Sequence, residues 1–138
     1  MLTFKRGCLF QAPTHLAHCI SSDVVMSKGI AREFRDRFGH IPELRNQKTK
    51  VGQIAILNCN GGKIFYLVTK SKYYEKPTLW SIHASLLQLK RHMVDHCLTQ
   101  IAMPKIGCSL DKMAWEDVES VLWRVFHDQD ILVTIYTL

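Results

Sequence analysis

The sequence lacks any pair of closely spaced cysteines. Its five cysteines lie apart at Cys8, Cys19, Cys59, Cys97 and Cys108, and no Cys-x-x-Cys motif occurs. A disulfide framework or a structural zinc site needs paired or clustered cysteines, so this pattern favours reduced thiols. Reduced thiols in turn predict a protein of the nucleus or the cytoplasm.

Long hydrophobic runs are also missing. No apolar run reaches the ~18 residues that a membrane span needs. The first residues, "MLTFKRGCLFQ", contain no apolar stretch of the ~7–15 residues found in secretion signals. We therefore expect neither a membrane-spanning segment nor a secretion signal.

What is present fits one globular domain over residues 1–138. Hydrophobic residues make up 47% and charged residues 22% of the 138 residues, which is ordinary for a globular protein. The formal net charge is +6. Positive charge attracts polyanions, so nucleic acid on a basic surface or a phosphate-bearing ligand is one interpretation, and simple solubility is the other.

Strand-like and helix-like segments mostly alternate along the chain. Asn60-Gly61-Gly62 predicts a hairpin turn, and Pro77 suits the first turn of a helix. We expect a mixed sheet covered by helices on both faces. The predicted strands are 2–7, 15–21, 52–59, 63–70, 99–104 and 131–138. The predicted helices are 27–38, 76–97 and 114–126, with a short helix that runs into a basic turn within 41–50.

Two loops, residues 20–31 and 104–111, each join an apolar strand to a helix. Ligands of such sheets collect at the carboxyl ends of strands, and N–H groups at a helix start bind phosphate. Two such loops could hold a diphosphate between them, but ordinary connecting loops have the same composition. Glycine is available at Gly29 and Gly107, hydroxyl groups at Ser21, Ser27 and Ser109, and positive charge at Lys28 and Lys105.

Several motifs occur in one order along residues 2–138: "AHCISSD", "MSKGIAREF", "LVTK", "KPT" and "MPKIGCSLDKMAWEDV". With them the chain resembles the macrodomain family, and most closely its glycohydrolases of terminal protein-linked ADP-ribose, also known as O-acyl-ADP-ribose deacylases. The resemblance implies an α/β fold, a three-layer αβα sandwich with a six-stranded mixed sheet. It also implies a cleft that holds the diphosphate of ADP-ribose between the two loops.

The resemblance also implies roles for single residues. Lys70 falls on the catalytic nucleophile and Asp111 on the catalytic acid/base. Judged by pattern alone, a lysine that ends a strand is a solvated cap, and an aspartate before a helix is its N-cap. The implied ligand-binding positions are Cys8, Leu9, Ser21, Ser27, Lys28, Gly29, Ile30, Lys105, Ile106, Gly107, Cys108, Ser109, Leu110 and Leu138.

The implied activity is hydrolysis of ester-linked ADP-ribose. Expected substrates are proteins ADP-ribosylated on glutamate or aspartate and O-acetyl-ADP-ribose, handled by a monomer without a cofactor. Three departures from the family leave open a module that binds ADP-ribose or nucleic acid with little or no catalysis. Cys8 stands where the family usually has an aspartate that accepts from adenine, Ser27-Lys28 replace small residues, and Ser109 replaces a glycine.

The remaining histidines and tryptophans receive structural interpretations. We expect surface or packing roles, and no metal site, at His15, His83, His92, His96 and His127. We expect helix packing, more than base stacking, from Trp80, Trp115 and Trp123.

Two cysteines could be taken for reactive groups. Cys19 follows His18 in a strand, and adjacent strand residues point to opposite faces, so this pair cannot form a nucleophile and base. Cys108 lies near a helix start, which lowers a thiol pKa where the thiol faces the helix, but inward packing is the favoured interpretation.

Overall fold

The structure is a computed structural model that describes residues 1–59, 61–108 and 111–138. Every predicted strand and helix is present, and a 3₁₀ turn spans Leu9–Gln11. The strands are β1 Leu2–Arg6, β2 His15–Ser21, β3 Ile54–Cys59, β4 Gly62–Lys70, β5 Gln100–Met103 and β6 Leu132–Thr137. The helices are α1 Gly29–Phe38, α2 Ile41–Asn46, α3 Leu79–Asp95 and α4 Trp115–Phe126.

The six strands form one mixed sheet in the order β1-β6-β5-β2-β4-β3. Neighbouring strands are parallel except β3 and β4, which pair antiparallel with Cys59 opposite Gly62. This pairing confirms the predicted hairpin, although Asn60 lies outside the described residues. Because β1, β6, β5, β2 and β4 run in the same direction, their carboxyl ends meet at one edge of the sheet.

Alternating side chains of the strands build two cores, one on each face. Ala17 and Phe65 pack with the buried faces of α3 and α4. The next residues along the same strands, including Tyr66, pack with Phe34 of α1 and Leu44 of α2. This arrangement confirms the expected αβα sandwich. No helix within the described ranges is long and apolar enough to cross a membrane.

The histidine and cysteine that follow each other in β2 belong to different cores. The His18 ring stacks on Phe34, with ring centroids 3.8 Å apart. Cys19 packs against the core on the other face. The prediction that these two side chains cannot act together is therefore confirmed.

Two helices begin later than predicted. Helix α1 begins at Gly29 after the N-cap Lys28, so Ser27 lies in the preceding loop. Helix α3 begins at Leu79 because Thr78 and Ser81 form a capping box, with 3.0 Å hydrogen bonds in both directions. Pro77 consequently precedes the N-cap. The prediction that it lies in the first turn of the helix is wrong. Residues 41–50 form the predicted short helix, α2, which ends at Asn46 and is followed by a turn.

The packing role predicted for the tryptophans is wrong for two of them. Trp80 is 69% exposed and Trp123 is 48% exposed. Each of these two tryptophans lies one residue after an apolar position of its helix. One residue corresponds to about 100° of helix rotation, so both rings point away from the core. Only Trp115 is half-buried, and it makes an edge contact with Phe4 at 6.2 Å between ring centroids.

Candidate active site

The carboxyl ends of β2 and β4 bring the first loop beside Lys70. The register of these strands shifts between Ile20 and Ser21, so that Ser21 lies opposite Lys70. Directly after the strand, the Ser22 N–H donates to the Lys70 carbonyl oxygen at 2.8 Å. The sheet thereby fixes the backbone of the predicted nucleophile against the loop that follows β2.

Lys70 and Asp111 are in direct contact, although 41 positions separate them in the sequence. The Lys70 Nζ donates to Asp111 Oδ1 at 2.7 Å. Their side chains are only 15% and 17% exposed, so solvent screens this ion pair weakly. Asp111 follows β5 and does not cap α4, whose N-cap is Ala114. The N-cap interpretation is therefore wrong.

A neutral lysine amine is a nucleophile, and a carboxylate within hydrogen-bond distance can take its proton and return it. The Lys70–Asp111 pair has this arrangement. A third side chain lies close by, because Cys19 lines the same cavity. Burial raises the pKa of the Cys19 thiol to about 12, and the Asp111 charge adds to this effect. The thiol consequently stays protonated near neutral pH.

The loop after β2 is held in a strained conformation. Val24 and Met26 have φ angles of 52° and 49°, which are rare for non-glycine residues and more so for a β-branched one. Two arginines of the neighbouring helices hold its backbone: Arg35 Nη1 donates to the Val25 carbonyl and Arg45 Nη2 to the Val24 carbonyl, both at 3.3 Å. Strain of this kind clusters at functional sites.

Asp23 joins this loop to the segment after β4. Its carboxylate accepts a hydrogen bond from the Ser21 hydroxyl, and the second oxygen accepts from the Tyr73 N–H at 3.2 Å. Asp23, Tyr73 and its neighbour Tyr74 were not among the predicted site residues. The signal available in the sequence was the pair of aromatic residues three and four positions after the predicted nucleophile, in "TKSKYYEK".

Helix α1 begins where the predicted diphosphate site lies. Gly29 has φ 60°, and the first turn contains no acidic residue. Lys28 is exposed, and Ser27 and Ile30 are half-buried. Free N–H groups, the helix dipole and a nearby lysine together make this helix start suitable for an anion.

Gly107 occupies a position of the second loop that disfavours any other residue. Its φ is 74°, and an added Cβ would lie 3.2 Å from Ile82 Cδ1 and 3.3 Å from Met113 Sδ. Its carbonyl accepts from the Met113 N–H at 2.8 Å. The preceding Ile106 is 2% exposed and packs in the core, so its side chain is not available to a ligand and only its main chain can contribute.

The prediction that the Cys108 side chain packs inward is confirmed. This side chain packs against the core beside α4, and its thiol donates to the Ile106 carbonyl at 3.4 Å. Burial raises the pKa of this thiol, which is opposite to the lowering considered for a helix start. Ser109 and Leu110 lie outside the described residues, so their predicted ligand contacts stay predictions.

Two cavities lie on either side of the start of α1. The first has a volume of about 360 Å³ and contains both Lys70 and Asp111. The second, of about 420 Å³, opens at the ends of β1, β5 and β6. Of the other predicted residues, the first cavity is lined by Ser21, Ser27 and Lys28, and the second by Cys8, Leu9, Ile30, Lys105, Cys108 and Leu138.

The second cavity is the more apolar of the two sites. Leu9 is 5% exposed and forms part of its floor, whereas the terminal Leu138 is 99% exposed at its edge. Cys8 is half-buried and its side chain makes no capping hydrogen bond to the 3₁₀ turn. Lys105 lies over the Trp115 ring, with its Nζ 5.5 Å from the centroid. An apolar ring system with a polar edge would suit these walls.

The side chains of the described residues include no group of three or more histidine, cysteine, aspartate or glutamate residues that could hold a metal ion. All five cysteines are free thiols.

Comparison with known proteins finds relatives over nearly the whole chain. This chain is 42% identical over 139 residues to the human ADP-ribose glycohydrolase OARD1. The aligned region covers 99% of this chain and 91% of the human protein. The DNA ADP-ribosyl glycohydrolase of Mycobacterium tuberculosis is 28% identical over 152 residues, covering 99% of this chain and 42% of that protein.

Among solved structures, the macrodomain of Mycobacterium tuberculosis DarG has a TM-score of 0.91 and 26% identity, with coverage of 100% of this chain and 98% of that one. A search with family models found none that matches. The structural similarity confirms the three-layer fold that the sequence motifs implied.

Proposed function

This chain belongs to the macrodomain family that includes the ADP-ribose glycohydrolase OARD1, and we propose that it is a hydrolase that removes ADP-ribose from ester linkages. The observation that carries the proposal is the 2.7 Å contact between the Lys70 amine and the Asp111 carboxylate inside a cavity of about 360 Å³. The expected substrates are proteins modified on glutamate or aspartate, and O-acetyl-ADP-ribose.

The two cavities suggest how ADP-ribose binds. Its adenine occupies the apolar cavity near Cys8 and Leu9. Its diphosphate lies between the start of α1, with Gly29, and the second loop, with Gly107, where the glycines let the backbone approach. The distal ribose then reaches Lys70 in the other cavity. Support for this order comes from the position of the α1 start between the two cavities.

The reaction proceeds in two steps. Asp111 takes a proton from the Lys70 ammonium, and the amine attacks the anomeric carbon of the distal ribose. A carbon–nitrogen bond forms while the carbon–oxygen bond to the leaving carboxylate breaks, and that oxygen keeps the electron pair. Water then adds to the same carbon and gives up one proton to the solvent. The carbon–nitrogen bond breaks with its electron pair going to nitrogen, and Asp111 returns its proton to the lysine.

A second function, binding without turnover, is favoured by Cys8. A thiol is a weak acceptor, so a polar edge of adenine would gain little from this side chain. The net charge of +6 also suits a polyanion such as nucleic acid. A monomeric state and a location in nucleus or cytoplasm stay predictions from the sequence.

One experiment separates these functions. ADP-ribose release from a glutamate-ADP-ribosylated protein is measured for the wild type and for Lys70→Ala, beside calorimetric titration of both with ADP-ribose. The hydrolase releases ADP-ribose, and Lys70→Ala loses release but keeps binding. In Asp111→Ala, mass spectrometry should find ADP-ribose bonded to Lys70. Binding without release by the wild type would favour the binding module, and unchanged release by Lys70→Ala would exclude the lysine mechanism.

A further inference from the structure

One carboxylate side chain faces the apolar cavity in which the proposed pose places adenine. Glu33 lies in the middle of α1 and lines this cavity together with Cys8, Leu9, Phe10 and Ile30. Among the described residues of the lining, it has the one acidic side chain. The function proposed above gives Glu33 no role, although a charged group at the edge of an apolar cavity can fix the orientation of a ligand.

The helix sets the direction of this side chain. Residues three and four positions apart lie on the same face of a helix, so Ile30, Glu33 and Arg37 form one column along α1. Ile30 lines the cavity, and the Arg37 guanidinium lies over the Phe10 ring, 4.3 Å from its centroid. Glu33 lies between these two contacts and therefore faces the 3₁₀ turn Leu9–Gln11, which forms a wall of the cavity.

The positively charged side chains of α1 are engaged by other groups. Arg32 and Arg35 each lie 3.8 Å from the Asp36 carboxylate, and Arg37 makes the aromatic contact. No ion pair or hydrogen bond joins the Glu33 carboxylate to another residue that the structure describes. Its oxygens are therefore available to a ligand that enters the cavity.

The chemistry of adenine restricts what this carboxylate can bind. An ionised carboxylate only accepts hydrogen bonds. In adenine attached to ribose, the free ring nitrogens are acceptors and the 6-amino group is the donor. Glu33 can therefore pair with adenine only through the amino group. That group has two hydrogens, so Glu33 does not compete with an acceptor introduced at the Cys8 position.

We propose that Glu33 is the specificity-determining acceptor for the adenine 6-amino group, supplied by α1 and not by the end of β1, where Cys8 stands. This inference rests on the proposed function, because it uses the same pose of ADP-ribose. Glu33 is exposed, so water competes for the hydrogen bond. We expect a contribution of about 10-fold in affinity, the low end for a hydrogen bond to a charged group.

The test compares two ligands by calorimetric titration: ADP-ribose, and the analogue in which hydrogen replaces the 6-amino group. The wild type should bind the analogue about 10-fold more weakly than ADP-ribose. Glu33→Met keeps a good helix former of similar length, and it should bind both ligands with about the affinity of the wild type for the analogue. Glu33→Gln, which retains a neutral acceptor, should lie between. With O-acetyl-ADP-ribose, Glu33→Met should raise KM and leave kcat unchanged.

Asp36→Asn is the matched control. Asp36 lies on the same helix, is not among the described residues that line the cavity, and loses the same charge in this substitution. Removal of a negative charge by itself strengthens the attraction of the protein for an anionic diphosphate. Weaker binding of ADP-ribose by Glu33→Met is therefore opposite in sign to the general electrostatic effect. Asp36→Asn should keep the full preference for ADP-ribose over the analogue.

Several outcomes would overturn the inference, and they differ from failure of the proposed function. It is refuted if Glu33→Met, shown by its thermal unfolding to be folded, keeps the wild-type preference for ADP-ribose over the analogue. It is also refuted if the variant weakens both ligands equally, or if Asp36→Asn loses the same preference. When the wild type binds ADP-ribose and turns over O-acetyl-ADP-ribose in those cases, the hydrolase stands with a different base contact. If the wild type does neither, the proposed function itself fails, and this inference fails with it.

Discussion

Replacing Gly107 by alanine should destabilise the protein and weaken ADP-ribose binding together. The residue has φ 74°, and a non-glycine residue at such an angle costs about 1–2 kcal/mol. The new Cβ also meets Ile82 and Met113 at 3.2 and 3.3 Å. Both contacts are with side-chain tips, which can shift by a few tenths of an ångström, so overpacking adds about 1 kcal/mol, the low end of its usual range.

Gly61 offers a matched control for the Gly107 variant. Its φ is 89°, and no described atom lies within 4 Å of the position that its Cβ would take. Gly61→Ala therefore carries the conformational cost without the contacts. Urea unfolding should show Gly107→Ala less stable than Gly61→Ala by about 1 kcal/mol, and both less stable than the wild type.

Ligand binding provides the second half of this prediction. If the second loop donates to phosphate, a shift of its backbone that loses one charged hydrogen bond costs about 1.5–3 kcal/mol, which is about 10- to 100-fold in affinity. Calorimetric titration should show this loss for Gly107→Ala and none for Gly61→Ala, which lies in the β3–β4 hairpin. Equal stability of the two variants would refute the contact argument, and full ADP-ribose affinity in Gly107→Ala would place the ligand elsewhere.

Three further predictions concern single side chains. Lys70→Ala should abolish ADP-ribose release with little change in ADP-ribose affinity, and retained release in a single-turnover assay would contradict the nucleophile role. Cys8→Asp should tighten ADP-ribose binding about 10- to 100-fold by supplying a charged acceptor, with little change of turnover at saturation; calorimetry showing weaker binding would mean that the pocket is built around the thiol. Burial lowers the pKa of His18 to about 3 from 6.5, so stability should fall as pH falls from about 6.5 toward 3. His18→Leu should show a smaller loss of stability between pH 7 and pH 5 in urea unfolding, with part retained because His15 and His92 also have pKa values lowered by burial.

The fold could be predicted because each element has a local signal in the sequence. Alternation of apolar residues and the hairpin motif define the strands, and apolar residues at every third or fourth position define α1 and α4. The helix starts were less predictable, since capping depends on a few side-chain bonds. Thr78 and Ser81 begin α3 two residues after the proline that had been expected in its first turn.

The meeting of Lys70 with Asp111 follows from topology more than from spacing. Lys70 is the last residue of β4 and Asp111 lies in the loop after β5, and in the sheet β2 lies between these two parallel strands. The motifs that carry the family resemblance identified both positions, and the 2.7 Å contact now gives them a shared geometry. From composition and periodicity alone, Lys70 would have been interpreted as a solvated residue at the end of a strand.

The exposed tyrosines show what neither periodicity nor resemblance could supply. A pair of aromatic residues between a strand and a helix has no periodic pattern, so the sequence alone does not tell whether the rings are buried. In the structure Asp23 joins the loop after β2 to the Tyr73 backbone, while the Ser21 hydroxyl donates to the same carboxylate. One carboxylate therefore positions both a wall of the cavity that contains Lys70 and Asp111 and the rings beside it. This link joins segments that lie about fifty positions apart in the chain, so no local pattern of the sequence could reveal it.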